Sequence, residues 1–133
     1  MGGEVSHHQL VKNGLPLNFE LHADSIITSC IPYSNAQINK LVSEYGISDI
    51  ISLTEMPMNT ALVWNSYEYI NREVTEEIES GVHVHHIPIA DGFAPAPEQL
   101  EAARKIQAEA TGKLWIHCWL GAGRCRKMCS MLL

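Results

Sequence analysis

Cys118 and Arg124 stand six residues apart with Trp119-Leu120-Gly121-Ala122-Gly123 between them, a spacing suited to chemistry on an anion. The N–H groups of residues 119–124 can curl around a phosphate, and a helix starting near Arg124 would aim its positive end at the same point. Gly121 and Gly123 allow close approach and positive φ. Such a field also lowers the pKa of a thiol at its centre, so Cys118 is expected as a thiolate near neutral pH. Arg124 can return to grip two phosphate oxygens with its planar fork. Together these groups meet the needs of in-line attack on a phosphate monoester. The leaving oxygen still needs a proton. Asp91, in the proline-rich loop 88–97, is the candidate acid, and the candidate base for water in a second step.

The elements that must position these groups follow from periodicity. Leu114-Trp115-Ile116-His117 reads as a short buried strand that ends at Cys118, and ligands of open α/β sheets bind at that end of the strands. Ile47 to Leu53 is another buried strand, rich in isoleucine. Val82 to Ile87 is a third, with His83 and His85 on one face and His86 on the other. Asn18 to Cys30 holds an early strand or hairpin. Ser34-Asn35-Ala36-Gln37 is a capping box, and Ile38, Leu41, Val42 and Tyr45 then follow at helical spacing until Gly46. A second helix is expected from about Glu98 to Ala110, with Leu100, Ala103 and Ile106 inward and Gly112 beyond its end. Residues 54–81 are less regular; Trp64, Tyr67, Tyr69 and Ile70 fit a short helix, with the acidic stretch 73–79 facing solvent. Alternating strands and helices imply an α/β fold with a largely parallel sheet flanked by helices. Residues 1–17 read as a flexible N-terminal arm and 18–133 as the catalytic domain.

Composition narrows the partners. A chain of 133 residues supports one main core. The net charge of −6 argues against nucleic acid, which is bound by clustered Lys and Arg, and against an anionic membrane surface. No run approaches the ~20 apolar residues of a membrane span, and the first residues lack the pattern of a secretory signal. Four cysteines, at 30, 118, 125 and 129, do not form the dense framework of a small exported domain. The cytoplasm or nucleus is the expected compartment.

The stretch HCWLGAGR matches the His-Cys-x5-Arg signature of the protein tyrosine phosphatase superfamily. With ISLTE (51–55) and IPIADGFAPAPEQLE (87–101), it resembles the small atypical dual-specificity, VH1-like phosphatases over residues 18–124, with 57–81 as a divergent insertion. The resemblance implies Cys118 as nucleophile, Arg124 and the amides of Trp119, Leu120, Gly121, Ala122 and Gly123 as the phosphate cradle, Asp91 as the acid, and His117 as a buttress of the loop. It implies phosphorylated protein or peptide as substrate and no cofactor.

Two departures from that pattern matter. The family places Ser or Thr after the Arg, where this chain has Cys125. A thiol is the weaker donor, so hydrolysis of a phosphocysteine is expected to be slow, and oxidation could join Cys125 to Cys118. The sequence also stops at Leu133, about two and a half helical turns after Arg124, where the family continues for several helices. It reads as a domain lacking its C-terminal helices, with an apolar end, Met128 to Leu133.

Competing assignments are weaker. Glu98 rivals Asp91 as the acid but suits the first turn of a helix. His83, His85 and His86 invite a metal, yet no Cys or carboxylate is spaced to complete a site, and none is expected. Cys125 and Cys129, one turn apart, read as packing residues. The functional alternative is a phosphate-binding or interaction module without turnover. A phosphoinositide or RNA 5′-phosphatase fits less well, because residues 119–123 include no Lys or Arg.

Overall fold

The computed structural model describes residues 11–12, 14–56, 62–65, 68–71 and 81–133. In chain order the strands are β1 (Val11–Lys12), β2 (Leu15–Pro16), β3 (Glu20–His22), β4 (Ile26–Ser29), β5 (Ile47–Ser52), β6 (Leu62–Asn65), β7 (Glu68–Asn71), β8 (His83–His86) and β9 (Lys113–His117). The helices are α1 (Asn35–Tyr45), α2 (Pro97–Glu109) and α3 (Arg124–Leu132). The main sheet has the order β3-β4-β9-β5-β8. All its pairs are parallel except β3 with β4, so β4, β5, β8 and β9 deliver their carboxyl ends to one edge.

Alternation explains why the central strands are apolar on both sides. Ile27, Ile50 and Trp115 face one way and pack with Ile38 and Leu41 of α1. Ile26, Ile51, Leu114 and Ile116 face the other way and meet Ala103 of α2 with Cys125, Met128 and Leu132 of α3. Each such aliphatic side chain withdrawn from water contributes on the order of 1.5–3 kcal/mol, and both helix layers are needed to cover this sheet.

The helix signals act much as their residues indicate. The Ser34 hydroxyl accepts from the Gln37 N–H at 3.1 Å, but Gln37 reaches one residue further back than in a capping box and accepts from the Tyr33 N–H at 2.9 Å. Gly46 closes α1 with φ 68°. Helix α2 starts at Pro97, and Leu100, Ala103 and Ile106 lie on its covered side.

Three expectations are corrected. Pairing begins inside the stretch assigned to the N-terminal arm, since β1 and β2 form a hairpin turned by Gly14 at φ 78°; Pro16 is buried, and the rest of the arm, 1–10, lies outside the described residues. A helix through Trp64 to Ile70 is replaced by the antiparallel pair β6–β7, whose backbone register pairs position 64 with 69 and position 63 with 70. Alternating β-formers on both arms favour that pairing. The acidic stretch 73–79 lies outside the described residues. Finally, β8 is not a buried strand: it lies at the end of the sheet, and Val84 is 44% exposed.

Candidate active site

The described segments that leave the carboxyl edge converge on Cys118. Strand β9 is fixed there from both sides, for Trp115 donates its Nε1–H to Ser29 Oγ at 2.7 Å. The loop 119–123 then lies against the end of β4. The Ile31 N–H donates to the Trp119 carbonyl at 3.1 Å, and Asn18 Nδ2 donates to the Leu120 carbonyl at 2.7 Å. Gly121 is buried at φ 82°, and a Cβ there would come within 2.4 Å of the Cys30 nitrogen and 2.5 Å of the Ser29 carbonyl carbon. Only glycine satisfies both the backbone angle and the space. His117 is buried, with Nδ1 3.2 Å from the Cys118 carbonyl.

Cys118 is 3% exposed and its thiol is pulled down to about 5. The largest cause is the hydrogen bond from the Cys125 thiol; burial opposes it, and the N–H groups of Cys125, Gly121 and Gly123 then add to the lowering. The two sulfurs are 3.5 Å apart. Cys125 shows the reciprocal effect: its hydrogen bond to the Cys118 thiolate, followed by burial, pushes its pKa far up, so it keeps its proton. A thiol has one proton to give. With Cys118 ionised it goes to that sulfur, and with Cys118 neutral the Ser29 carbonyl, 3.8 Å away, can take it. Because Arg124 opens α3, the positive end of that helix adds to the same field.

Arg124 is 4% exposed, and its charge is held by the segments that leave β5 and β8. Nη1 donates to Glu55 Oε1 at 2.6 Å and to the Ile89 carbonyl at 2.8 Å. Asp91 lies on the other side, with Oδ1 3.8 Å from Nε. With Nη1 so engaged, the Nε–Nη2 edge is the one left to fork two phosphate oxygens. Asp91 is exposed at the rim in the turn that ends where Phe93 N–H donates to the Ala90 carbonyl at 3.0 Å.

Glu55 was not among the candidates, although it joins the two functional loops. Its Oε2 accepts from the Asp91 N–H at 3.2 Å while its Oε1 holds Arg124. Burial works against its charge, but the hydrogen bonds from Arg124 and from the N–H groups of residues 55 and 91 outweigh it and hold the carboxyl below the usual range. The signal was available in the rule that selected Asp91: Glu55 is a carboxylate just past the carboxyl end of a parallel strand. The loop carrying it is set by His86 Nε2, 2.7 Å from the Thr54 carbonyl.

The remaining candidates lie elsewhere. Glu98 is in the first turn of α2. His85 pairs with Asp49 at 2.7 Å, and among the described residues no three His, Cys, Asp or Glu side chains are grouped to hold a metal ion. Cys129 packs beneath Cys125 in the core, where burial, with a smaller push from the Glu20 charge, raises its thiol to about 11. No helix of the described residues is long and apolar enough to cross a membrane.

The family model of Tc-R-P, the DSP-PTPase phosphatase of polymorphic toxin systems, matches residues 32–133. The chain belongs to this family. It has the fold of a small dual-specificity cysteine phosphatase, as three solved structures bear out. A mutant form of Tk-PTP is similar at a TM-score of 0.56 and 23% identity, over 80% of this chain and 64% of that one. PTPMT1 in complex with PI(5)P is similar at 0.65 and 14%, over 84% and 68%. TpbA from P. aeruginosa is similar at 0.60 and 17%, over 92% and 65%, and TpbA has also been solved with phosphotyrosine. This DSP-PTPase chain therefore spans about two thirds of the length of the phosphatases it resembles, 64% for Tk-PTP. No curated protein sequence matches it.

Proposed function

We propose that this DSP-PTPase chain hydrolyses phosphotyrosine, and phosphoserine or phosphothreonine more slowly, through a phosphocysteine intermediate. The observation that carries the reading is the convergence of the Gly121, Gly123 and Cys125 N–H groups on the Cys118 sulfur. The thiolate attacks phosphorus while those amides and Arg124 take up the charge that develops on the equatorial oxygens. Asp91, exposed at the rim 3.8 Å from Arg124 Nε, protonates the leaving oxygen and then takes a proton from water. Glu55 positions Arg124 and the Asp91 loop together.

An aryl ester is favoured over a phosphoinositide by what surrounds the mouth. Met56, Phe93 and Leu120 are 43%, 65% and 47% exposed, one on each of the loops that follow β5, β8 and β9. Residues 119–123 add no cation for a multiply phosphorylated headgroup. Apolar side chains there offer a surface to a phenyl ring. The four thiols are free, which suits a reducing compartment such as the cytoplasm.

Release of p-nitrophenol from its phosphate, followed across pH, tests the proposal. Wild-type protein is expected to turn over. Asp91→Asn is expected to be slower, by roughly 10²-fold or more. Phosphate binding with no turnover by the wild type would instead support the module that binds without hydrolysis.

A further inference from the structure

Two carbonyls at the start of the phosphate loop are held from outside, and each hold turns an N–H the other way. In a trans peptide the C=O and the following N–H point in opposite directions. The Ile31 N–H donates to the Trp119 carbonyl at 3.1 Å, which fixes the peptide between Trp119 and Leu120. The Asn18 side-chain amide donates to the Leu120 carbonyl at 2.7 Å, which fixes the peptide between Leu120 and Gly121. The N–H of that second peptide is one of those directed at the Cys118 sulfur. It is also the peptide that most needs holding. Gly121 tolerates φ of either sign, so the peptide before it can turn over while both flanking Cα atoms stay in place. Turned over, it would aim the Leu120 carbonyl at the anion and take an N–H away.

Asn18 is kept in place by its own turn. The Phe19 N–H donates to the Pro16 carbonyl at 3.1 Å, and Asn18 takes the third position of that turn at φ 60°. Asparagine adopts this angle more readily than most side chains. The Cys30 N–H donates to the Leu17 carbonyl at 2.8 Å, and Leu17 packs on Cys30 and Ile31 in the same cluster as Trp119. Turn and loop are therefore fastened to one point, the carboxyl end of β4. Glycine would suit the angle better, but it has no donor to offer the loop. We propose that Asn18 is a positioning residue for the reaction, its amide keeping the Leu120–Gly121 peptide with the N–H toward the site. The inference rests on the phosphatase reading, in which that N–H serves the thiolate and then an equatorial oxygen of the phosphoryl group. It makes the turn between β2 and β3, far outside the linear motif, part of the machinery that holds the anion.

Two variants of the full chain lack the amide and differ in backbone cost. Asn18→Gly keeps a positive φ without strain, whereas Asn18→Ala does not. The ultraviolet absorbance of the Cys118 thiolate is followed with pH, using Cys118→Ser as the blank, and inorganic phosphate is titrated by calorimetry. Both variants are expected to raise the Cys118 midpoint from about 5 by roughly half a unit to one unit. Both are expected to bind phosphate roughly three- to tenfold more weakly. Denaturant unfolding is expected to separate them, with Asn18→Ala the less stable. A midpoint that follows stability, moving in Asn18→Ala and not in Asn18→Gly, makes Asn18 a turn residue only and overturns the inference. A midpoint unchanged in both variants, with the wild type low, also overturns it and leaves the phosphatase reading standing. A wild-type thiol that titrates near the ordinary value of about 8.5 sinks that reading, and this inference with it.

Discussion

Replacement of Cys118 by serine is expected to lower kcat/KM for p-nitrophenyl phosphate by roughly 10⁴-fold or more. The amides of Gly121, Gly123 and Cys125 hold a sulfur anion whose pKa is about 5. A serine hydroxyl in the same place stays protonated, because the field that displaces a thiol by a few units leaves an alcohol far from ionisation. Binding should survive the change. The loop is held by the Ile31 N–H and the Asn18 side-chain amide, neither of which involves the Cys118 side chain, and loss of a negative charge from the cradle favours a phosphate dianion. Steady-state kinetics with calorimetric titration of inorganic phosphate separates the two effects. Retention of more than a tenth of the activity would remove Cys118 from the mechanism.

Arg124→Lys is expected to be nearly as damaging, lowering kcat/KM by roughly 10²–10³-fold. The guanidinium spans a width that an ammonium cannot: Nη1 holds Glu55 Oε1 at 2.6 Å and the Ile89 carbonyl at 2.8 Å while the far edge faces the phosphate. A lysine can keep Glu55 or reach the phosphate, not both, and it cannot fork two oxygens. The Ile89 carbonyl loses a donor in the process, so denaturant unfolding is expected to show a loss of about 1–3 kcal/mol. Glu55 contributes little to that loss, because its side chain is 57% exposed and water can replace its partner. The split matters. A stability loss with kcat/KM within a few-fold of wild type would mean that Arg124 is a structural cation and that the phosphate is held by the amides alone.

Much of this was legible before any coordinates, and the reasons are local. The isoleucine-rich run at 47–53 and the segment Leu114-Trp115-Ile116-His117 read as buried strands, and a glycine loop between such a strand and a helix N-terminus has few other uses. The same reading missed the β1–β2 hairpin, although Asn13-Gly14 is a strong two-residue turn signal, because the polar flanks hid it. It favoured a helix where β6 and β7 pair, since Trp64, Tyr67, Tyr69 and Ile70 can be read at either period over so short a run. It treated β8 as buried because Val-His-Val-His cannot by itself tell an edge strand from a central one; position in the sheet decides that. Glu55 was quoted for its surroundings and given no role, for its value arises only when the ends of β5, β8 and β9 are brought to one edge. Long-range juxtaposition of that kind is what the order β3-β4-β9-β5-β8 adds to a linear motif.

The most direct test concerns the charge on one sulfur. Alkylation of Cys118 by iodoacetamide, followed by peptide mass as a function of pH with and without inorganic phosphate, reports its ionisation without need of a substrate. Because the folded pKa is depressed, the reactive thiolate should be present throughout neutral pH and disappear only as pH falls through about 5, with phosphate protecting it. A reaction that instead rises through about 8.5, the value of an ordinary thiol, and ignores phosphate would contradict the existence of a preformed anion cradle around Cys118.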